Sequence, residues 1–448
     1  MWDTNGGVYL GYAANATENG PKTQIGRELR YVGDRHIFTI GPNGSGKSRR
    51  VILPNVAQLK DWSIVVVDPK GDLCQMTRQW RKEGGVEPVI LNPFNVLGLG
   101  SSGFNPVAAL NPADDDFADD AFVLAESMIR IEGAEPHWAA SSQDLVAGFI
   151  MAVRLSMPTE GSLAHVREFL TCDYEQFRTN IEAMLGVARN HKCPELEAKL
   201  ARYAKVDNDS RELNSILSTA QTQTRWLDSR AIKTDLGAGA FDFASLKEEA
   251  TTVYLTLPPR HLGAHATWLR LMVASIIQPL MKDTRRPKVP VLFILDEYPA
   301  LAAGGFGVIE RNMAMFRGFG IKLWTVWQDL GQAVRLYGEG WESFVANSGV
   351  LQSFAPQDVL TAEHLSKLMP LTLMRAESQS HSFGGEKGEP QHSVNISDQP
   401  LPIMLPQHLR NMDDGFSIMF SHKLKGPARA FFPFRVEGLD EIYARDPS

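Results

Sequence analysis

The chain has few cysteines and no long apolar run. The first argues against a disulfide-rich protein, and the second argues against a membrane-spanning one. Its 448 residues include three cysteines, Cys74, Cys172 and Cys193, which form no C-x-x-C pair. This usage is typical of a reducing compartment, where cysteines serve as small buried thiols. No window reaches about 18 uninterrupted apolar residues, so we predict no membrane-spanning helix in the chain as given.

The chain also lacks an excess of positive charge. The net charge of −7 excludes a global positive field that would attract nucleic acid. Contact with DNA would therefore depend on local basic patches, and no long basic run interleaved with aromatic residues is present. A hydrophobic share of 44% and a charged share of 22% are those of a globular protein with a large core. The length indicates two or three domains.

The strongest motif lies at residues 41–48, which read Gly-Pro-Asn-Gly-Ser-Gly-Lys-Ser and fit the phosphate-binding P-loop. A predicted buried strand at 36–40 precedes it, and a predicted helix at 47–59 follows it. The glycines let backbone N–H groups point at phosphate oxygens, and the helix N-terminus adds partial positive charge. We expect Lys47 to reach the β- and γ-phosphates of ATP and the Ser48 hydroxyl to hold Mg²⁺. The predicted ATP-binding residues of this loop are Gly41, Asn43, Gly44, Ser45, Gly46, Lys47, Ser48 and Arg49.

Two acidic strand ends extend the predicted site. The β-branched run at 62–67 predicts a buried strand that ends at Asp68 and Lys70. Ligand-contacting residues sit at the carboxyl ends of strands in open α/β sheets, so we predict that both bind ATP; a solvated turn is the alternative. The run at 289–295 predicts another buried strand, which ends in Asp296 and Glu297 in the Walker B pattern. We expect Asp296 to bind Mg²⁺ and Glu297 to polarise the attacking water.

Two further polar residues complete the predicted machinery. Gln328 follows a predicted strand at 321–327 and is expected to sense the γ-phosphate, with a helix cap as the alternative. A glutamate directly after the Walker B aspartate is the arrangement of RecA-like ATPases, which commonly work as rings in which a neighbour supplies an arginine. Arg311 and Arg317 follow Walker B. We favour Arg317, which falls just before a strand; a surface arginine is the alternative.

The type of secondary structure that the sequence predicts changes twice along the chain. Helical periodicity replaces β-branched runs between the first and second groups of predicted strands. We therefore predict a nucleotide-binding domain whose first half, with the P-loop, spans 1–111 and whose second half, with Walker B and the sensor, spans 229–448. An all-α domain at 112–228 is inserted between them. The predicted fold is a RecA-like α/β domain with a mostly parallel sheet and helices on both faces. Residues 375–399 lack periodicity and are interpreted as a mobile loop.

Seven stretches together resemble the TraG/TraD-like type IV secretion coupling proteins, within the FtsK–HerA group of ring ATPases. The resemblance covers about residues 30–435. The Asp-Pro-Lys-Gly and Gln-Asp-Leu stretches are specific to the family, whereas the P-loop is widespread. In the family's order, the stretches are Gly-Ser-Gly-Lys-Ser at 44–48, Val-Asp-Pro-Lys-Gly-Asp at 67–72, Phe-Asn-Pro at 104–106, Leu-Asp-Glu-Tyr at 295–298, Arg-Gly-Phe-Gly-Ile at 317–321, Gln-Asp-Leu-Gly-Gln at 328–332 and Leu-Pro-Gln-His-Leu at 405–409.

The resemblance implies a homo-hexameric, ATP-driven motor at the cytoplasmic mouth of a type IV secretion channel, on the cytoplasmic face of the inner membrane. It implies that the chain recruits relaxase–DNA or effector protein substrates, and that the all-α domain meets these substrates or their adaptors. The family's nucleotide-site motifs match Lys47, Ser48, Asp296, Glu297 and Gln328, and Arg317 matches its arginine finger. Such proteins usually begin with transmembrane helices. Residues 9–12 resemble the segment that follows those helices, so we expect a missing membrane anchor; a natural soluble member is the alternative.

Two other functions remain open at this point. One is a soluble DNA pump of the HerA type that acts without a secretion partner; the Asp-Pro-Lys-Gly stretch and the large helical insertion argue against it. The other is a recruitment platform whose ATP site only orders a ring. The presence of Lys47, Asp296 and Glu297 argues against a platform, because a platform has no use for a water-activating acid.

Overall fold

The computed structural model describes residues 6–17, 20–131, 135–207, 210–303, 305–383, 390–421, 424 and 426–447. Strands and α-helices are numbered here in chain order within that part. The strands are β1 (Val8–Thr17), β2 (Gly20–Tyr31), β3 (His36–Ile40), β4 (Ile64–Val67), β5 (Pro88–Leu91), β6 (Thr252–Leu255), β7 (Val291–Leu295), β8 (Ile321–Trp327), β9 (Ser348–Phe354), β10 (Leu371–Phe383), β11 (Pro390–Pro402), β12 (Phe416–Phe420) and β13 (Ala428–Phe431).

The helices fall into two groups, one around the sheet and one between β5 and β6. They are α1 (Leu53–Gln58), α2 (Asp72–Glu83), α3 (Phe117–Met128), α4 (Pro136–Ser156), α5 (Leu163–Thr171), α6 (Tyr174–Asn190), α7 (Pro194–Ala201), α8 (Arg211–Gln223), α9 (Arg230–Leu236), α10 (Pro259–Lys282), α11 (Tyr298–Ala302), α12 (Gly307–Phe316), α13 (Leu330–Tyr337), α14 (Glu342–Ala346), α15 (Val359–Lys367), α16 (Pro406–Arg410) and α17 (Asp440–Tyr443).

An eleven-stranded sheet organises the molecule, in the order β2-β1-β13-β12-β9-β3-β8-β7-β4-β6-β5. The seven strands from β9 to β5 pair in parallel with one another. The other four extend the sheet in antiparallel pairs. Because β3, β4, β7 and β8 are covered on both faces, they consist of continuous buried runs. The predicted α/β fold with a mostly parallel sheet is confirmed.

Two hydrophobic cores lie on opposite faces of the sheet, because successive side chains of a strand alternate in direction. In β4, Val65 and Val67 enter the core that the sheet shares with the helices of the middle region. Ile64 and Val66 enter the other core, against α1, α2 and the N-terminal strand. The P-loop strand is therefore held between two packed layers.

The helix after the P-loop begins with an unusually wide turn. Residues 48–52 form a π-helical turn in which the Leu53 N–H donates to the Ser48 carbonyl, and α1 continues from there. Pro54 explains the change, because it has no N–H to donate to the carbonyl four residues earlier. The sequence predicts one helix at 47–59 that Pro54 kinks or ends; instead, Pro54 lies inside a helix that changes its winding just before it.

The helices α3–α9 follow β5 without an intervening strand in the described residues. Asn105 connects this region to the sheet: its Nδ2 donates to Gly161 O (2.8 Å), while its Oδ1 accepts from the Val107 N–H (3.1 Å). Helix α9 begins at Arg230, beyond the predicted boundary at 228, so the helical run is longer than expected. The division into domains stays a prediction.

The expectation of a mobile loop at 375–399 is wrong for residues 375–383 and 390–399, and its residues 384–389 lie outside the described part of the chain. Strands β10 and β11 pair in register from Leu371–Pro402 to Phe383–Pro390 and form a separate two-stranded ribbon. At its base, Leu371 and Leu373 are 66% and 71% exposed. Because neither face at that end is buried, no apolar alternation marks these strands in the sequence. Among the described residues, no helix is both long enough and apolar enough to cross a bilayer.

Candidate active site

Adjacent parallel strands bring the predicted site residues together at one edge of the sheet. Strands β3, β8, β7 and β4 are neighbours in that order, and all four end at the same edge. The P-loop follows β3, Gln328 follows β8, Asp296 follows β7 and Asp68 follows β4. The strand order thus explains why residues up to 287 positions apart in the chain (41 and 328) meet.

The P-loop folds around its own lysine. Lys47 is buried, and its Nζ donates to the carbonyls of Gly41 (2.6 Å) and Pro42 (3.0 Å). Burial lowers the pKa of the Lys47 ammonium, and the carboxylates of Asp296 and Glu297 oppose that shift. Gly46 has φ +80°, and a Cβ there would lie 2.8 Å from Arg50 Nε, so the loop requires glycine at this position.

A hydrogen bond joins the P-loop to Walker B. Ser48 Oγ donates to Asp296 Oδ2 at 3.2 Å, between residues 248 positions apart. Burial raises the pKa of Asp296, and Glu297 raises it further, while Lys47 and Ser48 lower it. A serine hydroxyl beside a carboxylate is a pair of hard oxygen donors, which suits Mg²⁺. The predicted metal residues therefore lie together.

Glu297 occupies a strained backbone position beside Asp296. Its φ of +57° places it in the left-handed region, which non-glycine residues seldom adopt. Gln328 Nε2 donates to Glu297 Oε2 at 3.2 Å, so the end of β8 holds the carboxylate that follows β7. The Gln328 backbone N–H in turn donates to Gln332 Oε1 (2.9 Å). The arrangement fixes an acid at the edge of the site in a defined orientation.

Asp68 and Lys70 are placed differently from each other. Asp68 is 3% exposed, and its carboxylate accepts from the N–H groups of Gly71 (3.1 Å) and Cys74 (2.8 Å). Burial raises the pKa of Asp68 to about 7, and the Cys74 N–H opposes the shift. Asp68 thus closes the turn that starts α2, a role that no motif in the sequence indicates. Lys70 is exposed at the same turn. Their predicted contact with ATP stays a prediction.

The arginines are spread around the molecule. Arg49 forms an ion pair with Asp446, near the end of the chain. Arg311 forms an ion pair with Glu126 of α3. Arg317 lies just before β8, at the opposite edge of the sheet from the P-loop. Strand β8, seven residues long, lies between Arg317 and Gln328 and spans about 20 Å.

The loop and its surroundings fit a nucleotide with its magnesium ion. Ser45 Oγ is buried and has no hydrogen-bond partner among the described residues, so a donor remains available inside the loop. Lys47 supplies a buried cation, and the Ser48–Asp296 pair supplies oxygen ligands. Phosphate oxygens and Mg²⁺ are the groups that such donors and ligands bind.

The fold and this geometry define a P-loop α/β protein with paired Walker A and Walker B elements. A family model described as Type IV secretory system Conjugative DNA transfer matches residues 10–428. The chain therefore belongs to this family, as the sequence motifs predicted.

Curated relatives agree with the family. The chain is 27% identical over 410 residues to the conjugal transfer protein TraG of Escherichia coli, covering 84% of this chain and 60% of the relative. It is 27% identical over 396 residues to VirD4 of Agrobacterium fabrum, covering 86% of this chain and 56% of the relative. The chain thus spans less than two thirds of the length of these relatives.

Solved structures share the fold. The unbound conjugative coupling protein TrwBdeltaN70 matches with a TM-score of 0.67 and 17% identity, over 92% of this chain and 87% of that one. TrwB in complex with ADP and Mg²⁺ matches with a TM-score of 0.65 and 17% identity, over 90% and 86%. At this identity the similarity shows the fold alone, here a RecA-like P-loop domain with an all-α domain.

Proposed function

We propose that this chain hydrolyses ATP and is the motor region of a coupling protein that delivers DNA–protein or protein substrates to a type IV secretion channel. The observation that carries the proposal is the hydrogen bond between Ser48 and Asp296, with Glu297 held beside them by Gln328. Separate strands contribute these groups to one site. The family membership and the solved complexes of TrwB with ADP and Mg²⁺ and with a non-hydrolysable ATP analogue support the same conclusion.

In this proposal the P-loop binds the phosphates of ATP. Lys47 contacts the β- and γ-phosphates, and Ser48 and Asp296 hold Mg²⁺, which neutralises charge on the phosphate oxygens. The Ser45 hydroxyl and the backbone N–H groups of the loop donate to phosphate oxygens. The further residues proposed to line the ATP site are Gly41, Asn43, Gly44, Gly46, Arg49, Asp68 and Lys70.

Glu297 is proposed to orient and polarise the water that attacks the γ-phosphate. Its carboxylate accepts the hydrogen bond of Gln328, which leaves the other oxygen available to a water molecule. Gln328 can exchange its contact with Glu297 for one with the γ-phosphate, which would make it a sensor of the nucleotide state. A positioned base of this kind contributes about 10²–10⁴ in rate.

The proposed assembly is a homo-hexameric ring in which each protomer supplies Arg317 to the next. Arg317 lies about 20 Å from its own site, so it cannot serve that site without a large rearrangement. Its side chain is 56% exposed, which leaves it accessible to a neighbouring copy. An arginine supplied in trans is worth about 10³–10⁵ in rate.

The helical region at 112–228 is proposed to be the all-α domain that meets substrates or their adaptors, between nucleotide-domain halves at 1–111 and 229–448. It lies between β5 and β6 in the chain, and these two strands are still neighbours in the sheet. The proposed location is the cytoplasmic face of the inner membrane, next to channel components. DNA is a proposed partner.

The test is steady-state ATP hydrolysis by the purified chain, with and without single- and double-stranded DNA, under conditions that allow a ring. We expect slow basal turnover, stimulation by DNA, and loss of turnover in Lys47→Ala. Turnover that is indifferent to DNA would favour a protein substrate. No turnover under any condition, with ATP still bound, would contradict the motor and favour a recruitment platform.

A further inference from the structure

The segment between β2 and β3 contacts the region that carries Arg317. Asp34 Oδ2 lies 3.1 Å from Arg317 Nε, and the same oxygen accepts from Arg286 Nη2 at 3.2 Å. The Asp34 side chain is 43% exposed, so this ion pair lies at the surface near the amino ends of β3 and β8. Two guanidinium groups therefore share one carboxylate, and one of them is the proposed arginine finger.

The backbone around Asp34 is held from inside the protein. The buried Lys322 of β8 donates to the carbonyl of Gly33, the residue directly before Asp34. Its ammonium lies 4.7 Å from the Tyr31 ring centroid and 5.2 Å from that of Trp62. Burying an ammonium without a carboxylate in contact is costly. Here it fixes the turn from which Asp34 projects.

The backbone that carries Arg317 is held by the same segment. His36 Nε2 donates to the Met313 carbonyl at 2.7 Å, and its Nδ1 accepts from the Leu323 N–H at 3.1 Å. Burial lowers the pKa of His36 to about 4, so the ring is neutral and makes both bonds near pH 7. The last turn of α12 and the first residues of β8, which flank Arg317, are thereby tied to β3.

The Arg317 side chain itself is held by a surface contact, its ion pair with Asp34. It is 56% exposed and therefore free to rotate about several bonds unless a partner restrains it. Asp34 contacts it through Nε, the nitrogen nearest the aliphatic stem. The two terminal nitrogens belong to the fork of donors with which a guanidinium binds phosphate oxygens.

We propose that Asp34 is a positioning residue that holds Arg317 in the orientation needed to reach the nucleotide of the next protomer. This inference rests on the proposed function, since it assumes that Arg317 acts in trans. Asp34 contacts neither ATP nor its own P-loop in this scheme. It acts by limiting the orientations of Arg317, so its effect falls on turnover and not on the affinity for ATP.

The first measurement is ATP turnover by Asp34→Asn, which keeps the shape of the side chain but removes its charge. We expect kcat to fall about tenfold, since small misplacement of a catalytic group has effects of 10²-fold or less. We expect KM for ATP to stay unchanged and Asp34→Glu to recover part of the loss. Arg285→Ala is the control, because Arg285 pairs with Asp283 and Glu248 on the neighbouring turn and should have wild-type turnover.

A mixed-ring experiment separates an effect on Arg317 from an effect on the protomer's own site. Asp34→Asn protomers keep their nucleotide sites, whereas Glu297→Gln protomers keep the Asp34–Arg317 pair but lack the catalytic acid. In an equal, random mixture, about a quarter of the interfaces of a closed ring join an intact site to an intact Arg317. We therefore expect the mixture to hydrolyse ATP about two- to threefold faster than Asp34→Asn alone, although the added protomer is inactive.

Each contrary result has a distinct meaning. Mixing that lowers turnover by half would place the effect of Asp34 in its own protomer and overturn the inference. Wild-type kcat in Asp34→Asn, with Arg317→Ala inactive, would overturn it while leaving the proposed function intact. Wild-type kcat in Arg317→Ala would refute the finger and the inference together.

Absence of hydrolysis by the wild-type ring would instead contradict the proposed function. Thermal melting and ring size, measured for every variant, identify any that fail to fold or assemble.

Discussion

Lys322→Met is expected to make the stability of the protein less dependent on pH. Lys322 is 0% exposed and donates to the Gly33 carbonyl, and it forms no ion pair among the described residues. Burial lowers its pKa from 10.5 to about 7. The difference of about 3.5 units corresponds to ~5 kcal/mol between the folded and unfolded states.

The sign follows from the protons that each state binds. Between pH 7 and 10.5 the unfolded chain keeps the Lys322 proton, whereas the folded chain has released it. The free energy of unfolding therefore rises with pH in this window, by up to about 1.4 kcal/mol per unit. Below pH 7 both states are protonated, so this lysine lowers stability by a constant amount. Methionine has a similar volume and no charge, so it removes this dependence.

The assay is the urea unfolding midpoint, followed by tryptophan fluorescence at pH 7.5 and 9.0. We expect the stability of the wild type to increase by ~2 kcal/mol relative to Lys322→Met over this interval. The loss of the hydrogen bond to Gly33 costs about 1–3 kcal/mol at both pH values and cancels in the comparison. Lys288→Met, which removes an exposed lysine, is the control. A difference between wild type and Lys322→Met that does not change with pH would refute the reasoning.

Two other substitutions test the N-terminal strand and the sensor. Asn55→Ala should lower the free energy of unfolding by about 2–4 kcal/mol, because the buried Asn55 amide bonds both the N–H (2.6 Å) and the carbonyl (2.9 Å) of Tyr9. A melting temperature equal to that of the exposed control Gln79→Ala would contradict this. Gln328→Ala should lower kcat about tenfold to a hundredfold while ATP affinity stays close to that of the wild type. An unchanged kcat would show that Gln328 has no part in turnover.

The parallel strands at the centre of the fold could be predicted because a strand buried on both faces requires a continuous run of apolar residues. The runs at 36–40, 289–295 and 321–327 consist largely of apolar residues, and the corresponding strands are buried on both faces. The helical periodicity predicted within 112–228 corresponds to helices such as α3 and α4 for the same reason. Strands that are not buried lack such an apolar pattern. The sequence of the β10–β11 ribbon therefore indicates a loop instead of strands.

The site residues that belong to the P-loop and Walker B motifs could be predicted, because these motifs imply a defined backbone geometry. A residue that is recognised only because it follows a strand could not be assigned in the same way. Lys47, Ser48 and Asp296 lie together because the P-loop and Walker B patterns each require a strand that ends at the same edge. Asp68 also follows a strand, yet its carboxylate turns back to the N–H groups of Gly71 and Cys74. The position of an aspartate at the end of a strand does not show whether its carboxylate binds a ligand or closes a turn.

Asp34 carried no signal in the sequence. Its contact with Arg317 joins residues 283 positions apart, and it lies in a short turn between two strands without a motif. The pairing depends on β3 and β8 being neighbours in the sheet, a fact that the order of strands along the chain does not reveal. Contacts of this kind require the topology before they can be identified.

The most direct test of the central claim compares ATP binding and ATP hydrolysis in Glu297→Gln. The variant keeps the hydrogen-bonding shape of the side chain but loses the carboxylate that is proposed to polarise water. We expect ATP affinity within about twofold of the wild type and turnover lowered about a hundredfold or more. Turnover close to that of the wild type, with ATP bound equally well, would contradict the claim that this site hydrolyses ATP through Glu297.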